Sequence, residues 1–491
     1  MDRCAWLVIS VFCVIRLIIA AILPAMIDEA YGITVSRRWS LSYFDHPPVC
    51  FSLARIVAWL VGSENIFFLR LPFVFSGAVV GWLIYDITRL TYGRVAGFWA
   101  VAWYSIAPFF LLSAGHFVVP DGPLDLFLLL TFRLVLPDLL DPHGSLHMKR
   151  WLMAGGCFAL ALASKYLAIL FGASALAFLI CSPGHRHIFR SPVLWLTLLV
   201  ALLGLVPTLL WNASHDWISI GFQAGRAGTK GMTLQVKNFV TVLLGQMVYV
   251  LPGTWLVIMC ASLTKLFRPQ KVADQLFAWF TIVPPFVFLV IAIISQRSLP
   301  HWSMSGFLFG FPLVGAWTEK MLPRFGYFIR TTWLVTAVTV VLLFFGFSLQ
   351  SRCAFIPRLF SGLTSADVNW QFQEWSDLSV MWQRMQFPNT AVVSNWVTGA
   401  KVAHTLGPQV RVLPLSDPRH FQFLYPLKDI TLEKQLFVQP AIRGQSNKSI
   451  AELRAFLASH NLQMIEPPTI IQQMAGDWQR FDIIIVPIGK K

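Results

Sequence analysis

The sequence predicts a polytopic α-helical membrane protein with a C-terminal α/β domain outside the membrane. Of its 491 residues 56% are hydrophobic and only 12% charged, with a mean hydropathy of +0.64. A soluble domain carries about 25% charged residues. Long apolar runs recur as far as about residue 350, after which the chain turns polar and its apolar runs shorten. The net charge of +15 does not point to nucleic acid in so apolar a chain, because membrane proteins collect Lys and Arg in their cytoplasmic loops. Seven scattered cysteines without CxxC spacing form neither a zinc site nor a disulfide framework.

A bilayer core takes about 20 apolar residues per helix. The sequence offers eleven spans, roughly 4–24, 66–88, 95–114, 121–137, 151–164, 166–182, 192–211, 239–264, 275–294, 303–319 and 330–350. The first run lacks a small-residue cleavage site and leads straight into an acidic motif, so it reads as a retained span. The run from Trp151 to Ile180 divides at Ser164-Lys165-Tyr166, because a lysine at mid-bilayer is costly.

The charges orient these spans. With the N-terminus in the cytoplasm, the inside loops hold Arg89 and Arg94, Lys149 and Arg150, Arg186 and Arg190, Lys265, Arg268 and Lys271, and Lys320, Arg324 and Arg330. Every inside loop is then basic, as the positive-inside rule requires. The outer side receives loops 25–65, 115–121, the turn at Lys165, 212–238, 295–302 and the tail. Loop 25–65 mixes Trp, Leu and Arg and is expected to form helices on the membrane surface. The domains are therefore expected at 1–350, in the membrane, and 351–491, outside it. In the tail, Ala391–Ser394, Val410–Leu415 and Asp482–Val486 read as buried strands, and Val397–Leu406 and Ile450–His460 as helices.

The outer loops carry the residues that suit chemistry. Asp28-Glu29 follows the first span, where adjacent acids have no packing role. A hydroxyl nucleophile needs a carboxylate within hydrogen-bond reach, so Asp28 is the candidate general base and Glu29 a second or positioning acid. Asp121, in His116-Phe-Val-Val-Pro-Asp121-Gly-Pro-Leu-Asp125, opens a span on the same side. A helix cap explains it equally well. Two or three acids sharing one site would suit a divalent cation, so a metal is compatible with Asp28 and Asp121, and no other cofactor is indicated. The outer cations Arg37, Arg38, Lys165, Arg226, Lys230, Lys237 and Arg297 run against the positive-inside bias. They suit a phosphate leaving group, Arg297 and Lys165 best because they border spans in short segments. Asp45, His46, His116, Asn212, His215, Asp216 and His301 are candidates for holding a sugar or an acceptor. Arg16 and Arg133, inside spans, are expected to snorkel or pair.

These residues carry a resemblance. Asp28-Glu29-Ala30-Tyr31 with Tyr43-Phe44-Asp45-His46-Pro47-Pro48, Pro120-Asp121-Gly122-Pro123-Leu124, Ala163-Ser164-Lys165-Tyr166, Trp211-Asn212 with His215-Asp216-Trp217, and Leu299-Pro300-His301-Trp302 stand in one order over about residues 1–350. The sequence resembles the bacterial membrane glycosyltransferases of the GT-C class, the broad family that includes protein O-mannosyltransferases and the lipid A aminoarabinose transferase. The resemblance implies a GT-C fold and an inverting transfer from a polyprenyl-phosphate sugar on the periplasmic side of the inner membrane. A glycolipid such as lipid A, or a protein, would be the acceptor, with membrane lipids as surroundings. It also implies that Asp28 and Asp121 are the family's acidic positions, that Arg297 is its basic position, and that Tyr31 borders the sugar. Tyr31-Gly32 departs from the family's paired aromatics, and Asp125 is an acid where the family is apolar. Two rivals stay open, a lipid-sugar flippase and a non-catalytic subunit whose tail binds a partner.

Overall fold

The computed structural model describes residues 1–227, 234–295, 298–360, 367, 369–424 and 435–491, with the side chains of 226–227 outside the description. Its helices are α1 (Asp2–Ile22), α2 (Ile27–Ser36), α3 (Val49–Val61), α4 (Ile66–Tyr92), α5 (Arg94–Ile106), α6 (Asp121–Leu139), α7 (Met148–Leu162), α8 (Ile169–Cys181), α9 (Pro192–Leu202), α10 (Val206–Ala213), α11 (Ile218–Ala227), α12 (Val236–Val250), α13 (Pro252–Phe267), α14 (Val272–Ile294), α15 (Met304–Phe307) and α16 (Phe311–Cys353). The tail adds α17 (Phe355–Leu359), α18 (Ser376–Arg384), α19 (Trp396–Leu406) and α20 (Ser446–Ser459). Its strands are β1 (Thr390–Val393), β2 (Arg411–Pro414), β3 (Gln435–Ile442), β4 (Leu462–Met464), β5 (Thr469–Ala475) and β6 (Trp478–Lys490). The chain divides into two compact units. One holds Met1–Ile18, Ser40–Cys50 and Arg70–Leu342, and the other Ile19–Trp39, Phe51–Leu69 and Leu343–Lys491.

The first unit is an apolar helical bundle, and the chain is a multi-pass membrane protein. Among the described residues, five helices are long and apolar enough to cross a membrane, or seven if each of two bent pairs is one span. This is fewer than the eleven expected, because several apolar runs fold as short or broken helices. The run 239–264, expected as one span, folds as two helices, α12 and α13, bent by 103°. Pro252 disfavours helical backbone at the residue before it, and Leu251 is non-helical, at φ 74°. The runs 303–319 and 330–350 fall in one helical stretch, Pro300–Cys353, in which 3-10 turns and α15 lead into α16, and α16 breaks at Phe325 (φ −126°) just after Pro323. Packing centres on Phe132 of α6, with ring centroids 5.5 Å from Phe277 of α14 and 5.0 Å from Phe309. Within lipid, helices associate through close packing of small residues. A Cβ on Gly204 would lie 2.1 Å from the Ala159 carbonyl oxygen, so only glycine lets the end of α9 approach α7 this closely.

Charges inside the bundle are paired. Asp86 accepts from Arg89 and Arg133, each at 2.5 Å. Asp138 accepts from Arg150 at 2.7 Å and from the Trp151 indole at 3.0 Å. Arg16 is buried and donates to the carbonyls of Phe110 and Leu111 at 3.2 and 3.3 Å. Those carbonyls belong to a π-helical turn, Phe109–Ser113, which departs from the α-helical ladder. Arg16 and Arg133 are thus paired structural residues, one of the two roles expected for them.

The second unit contains a mixed sheet in the order β2-β1-β3-β6-β4, with β5 also on β6. β1 pairs in parallel with β2 and β3, while β6 runs antiparallel to β3, β4 and β5. The three expected strands and two expected helices fall on β1, β2, β6, α19 and α20, with shifted ends. Arg480 on β6 ties the sheet to the end of α16. It pairs with Asp367 at 2.8 Å and donates to the carbonyls of Gln350 and Ser351 at 2.8 and 2.6 Å.

Candidate active site

In the second unit, α2 begins directly behind Pro24 and carries the acidic pair in its first turn, where acids suit the positive end of the helix dipole. The two carboxylates have separate fates. Glu29 is fully buried and its Oε2 accepts from the Met26 backbone N–H at 3.0 Å, which is the return half of a capping box. Asp28 is exposed. Tyr31 is 4% exposed and packs edge-on against Phe51, Trp396, His420 and Phe421, with centroids 5.7–6.4 Å away. Its ring is a core anchor between α2 and the tail. Arg37 is committed to Glu64, with Nη2 and Nε 2.7 and 2.9 Å from its oxygens, and also donates to the Ala403 carbonyl. Arg38 is exposed and donates to the Phe423 carbonyl at 3.2 Å.

In the first unit, Asp121 opens α6 and pairs with Lys165, Oδ1 to Nζ 2.8 Å, both side chains under 10% exposed. Lys165 stands in extended backbone between α7 and a short 3-10 turn, Tyr166–Ala168, so the break expected there is present. His46 and His301 lie close enough to act electrostatically on Asp121. Asp45 and His46 sit in a loop folded on itself, where Tyr43 N–H donates to the His46 carbonyl at 3.1 Å. Gln223 donates to the Asp45 carbonyl at 2.6 Å, and Val49 N–H, past the two prolines, donates to Ala163 at 3.1 Å. The Asp45-His46 loop is thus stitched to the segment that bears Lys165. The two side chains stand 3.8 Å apart. One turn into α6, Asp125 Oδ1 accepts from Ser305 Oγ at 2.5 Å, while Oδ2 is buried without a partner among the described residues.

Asn212 is fully buried; its Oδ1 accepts from Ser219 and Ile220 N–H, each at 3.2 Å, and its amide donates to the Thr208 carbonyl. It satisfies the start of α11. His215 stacks on Trp211 at 4.1 Å, with Nδ1 held 2.8 Å from the Trp211 carbonyl. Asp216 is exposed in left-handed backbone, φ 52°. His116 is fully buried and neither ring nitrogen has a partner among the described residues. Arg297, Lys230 and the Arg226 side chain lie outside the described residues.

The donor set does not fit a divalent cation at Asp121, whose carboxylate already holds the Lys165 ammonium. Among the described residues no group of three or more His, Cys, Asp or Glu is placed to hold a metal. Sequence reasoning missed Ser305, Gln223, Lys401 and Arg70. Arg70 carried a usable signal: an arginine inside an apolar run is a candidate by default, and it is fully buried, 5.8 Å from the centroid of Phe117.

Residues 45–211 match the family of dolichyl-phosphate-mannose-protein mannosyltransferases. No curated protein matches the chain significantly by sequence. Among solved structures it is similar to ArnT from Cupriavidus metallidurans bound to undecaprenyl phosphate, at 13% identity and a TM-score of 0.65, over 98% of this chain and 97% of that one. The apo state of the same protein gives 13% identity, a TM-score of 0.64 and the same coverage. The protein O-mannosyltransferase complex of S. cerevisiae, bound to the sugar donor, gives 18% identity and a TM-score of 0.35 over 44% of this chain and 34% of that one. The chain has the GT-C fold, and the resemblance carried by its motifs is met again in the family match.

Proposed function

We propose that this GT-C chain is a glycosyltransferase that moves a sugar from a polyprenyl-phosphate donor to a hydroxyl of a glycolipid of the lipid A class, at the periplasmic face of the bacterial inner membrane. The observation that carries the reading is the division of labour in Asp28-Glu29. Glu29 is consumed by capping, while Asp28 is exposed on the first turn of the same helix. Asp28 takes the proton of the acceptor hydroxyl. The acceptor oxygen then attacks the anomeric carbon from the face opposite the phosphate. The new C–O bond forms as the bond to the phosphate oxygen breaks, the carbon inverts, and the electron pair leaves with the polyprenyl phosphate. Arg297 and Lys165 hold that phosphate as its charge develops, and Asp121 holds Lys165 in place. Asp45, His46 and His301 face the sugar.

A protein acceptor is the second reading, favoured by the match of residues 45–211 to protein mannosyltransferases. The test is transfer by purified protein in nanodiscs from radiolabelled polyprenyl-phosphate sugars, offered lipid A or a Ser/Thr-rich peptide. Labelled lipid A with wild type and none with Asp28→Asn supports the reading. Labelled peptide alone moves the assignment to a protein acceptor, and unchanged transfer by Asp28→Asn removes Asp28 from the mechanism. Movement of lipid-linked sugar across the bilayer without transfer would instead indicate a flippase.

A further inference from the structure

Lys401 is 3% exposed, and its ammonium donates to two carbonyls, Ala25 at 2.9 Å and Gln373 at 2.8 Å. Burying an ammonium costs several kcal/mol unless hydrogen bonds replace its water, so such a lysine is expected to hold something specific. Ala25 lies one residue before the N-cap of α2. The Met26 carbonyl accepts from Ala30 N–H at 2.8 Å and so belongs to the helix. The Ala25 carbonyl lies before it, on a buried residue, where an unmet acceptor would be costly. Lys401 supplies the donor. The other free group at this junction, Met26 N–H, is taken by Glu29. The point where α2 starts is therefore locked by one side chain of its own and one from the tail.

The rest of α19 reinforces the lock. Asn395 caps it, accepting from Val397 and Thr398 N–H at 3.0 and 3.1 Å, and Gly407, at φ +79°, ends it. Ala400 and Ala403 of α19 and Ala30 of α2 are fully buried. Trp396 at its first turn meets Tyr31, and the Ala403 carbonyl near its end accepts from Arg37 at 3.0 Å. One tail helix thus grips α2 at both ends and in the middle.

We propose that Lys401 is a positioning residue for Asp28, fixing the first turn of α2 through the Ala25 carbonyl, so that the α/β tail is a working part of the transferase. This rests on Asp28 being the base. Displacement of a reacting group by about 1 Å costs on the order of a hundredfold in rate. In full-length protein in nanodiscs, Lys401→Met is expected to lower kcat about 10- to 100-fold, with the donor KM within about twofold of wild type. Lys401→Arg, which keeps the donors, should recover most of the loss, and Lys448→Met, on the exposed face of α20, should change nothing. The double variant Asp28→Asn/Lys401→Met should transfer no more slowly than Asp28→Asn alone, because one group acts through the other. Hydrogen exchange should quicken at the first-turn amides of α2 in Lys401→Met while the strands keep their protection. If that variant does not fold, Lys401→Gln carries the same readouts. Wild-type kcat in Lys401→Met beside an inactive Asp28→Asn overturns the positioning role and leaves the functional reading standing. Full activity in Asp28→Asn overturns both.

Discussion

Lys165 and Asp121 form an ion pair at 2.8 Å in which both side chains are more than nine-tenths buried. Removing one partner of such a pair strands a buried charge and costs about 3–5 kcal/mol, whereas replacing both is often neutral. Asp121→Asn and Lys165→Met are each expected to lower the melting temperature in detergent. The double variant Asp121→Leu/Lys165→Met should recover it, because no buried charge is left unmatched. Transfer activity should be lost in all three. A stable double variant that transfers sugar normally would reduce the pair to a structural element.

Neighbouring acids on one helical turn should separate in their consequences. Glu29→Gln keeps an acceptor oxygen for Met26 N–H, so its activity is expected to stay within about threefold of wild type. Glu29→Ala loses the cap and about 1 kcal/mol, read as a lowered melting temperature. Asp28→Asn should melt like wild type and lose transfer by about 10²- to 10⁴-fold, the range for a general base. Equal activity losses in Asp28→Asn and Glu29→Gln would contradict this division.

Acid should loosen the tail at a place that can be named. Asp417 accepts both a 2.8 Å bond from Arg419 Nε and a 2.8 Å bond from Nη2. The Arg419 guanidinium holds the Asp417 carboxyl below its ordinary value of 3.8. A depressed folded-state pKa contributes stability that is fully present above the unfolded value and lost as pH falls through the folded one. The window therefore lies below about pH 4. The pair is partly exposed, which limits its worth to about 1 kcal/mol or less. Asp417→Asn should lower the stability of the full-length protein slightly at pH 7 and flatten its loss between pH 4 and 2, followed by urea titration. An unchanged acid limb would show that the pair contributes nothing.

The parts of this chain legible in its sequence are those set by periodicity and polarity. The apolar runs marked the bundle, and the tail's β1, β2, β6 and α19 were readable from short apolar runs and helical spacing. The run 239–264 did not show its bend, because composition alone does not reveal that Leu251 is non-helical. Asp28, Asp121 and Lys165 stood out as charges beside apolar runs. The difference between Asp28 and Glu29 did not, because burial separates the two and burial of one residue beside another is not written in the motif. The packing of Tyr31 was illegible for the same reason: its neighbours Trp396, His420 and Phe421 come from more than 360 positions away. Lys401 passed as one polar position on an amphipathic helix, since nothing local marks its bonds to Ala25 and Gln373.

The segment leading into Asp121 depends on a contact that can be broken from either side. Arg16 donates to the carbonyls of Phe110 and Leu111, and a Cβ on Gly115 would lie 2.3 Å from that same Phe110 oxygen and 3.0 Å from Arg16 Nε. Arg16→Leu leaves two buried carbonyls without their donor, at about 1–3 kcal/mol each. Gly115→Ala instead forces the π-helical turn away from the arginine. Both changes act on the stretch 109–120, immediately before the turn that presents Asp121 to Lys165. Each should therefore lower the melting temperature and kcat together, with Gly115→Ala the more severe because backbone cannot swing aside as a side chain can. Gly115→Ala with wild-type melting and wild-type transfer would show that the turn before α6 accommodates the methyl group and does not set the position of Asp121.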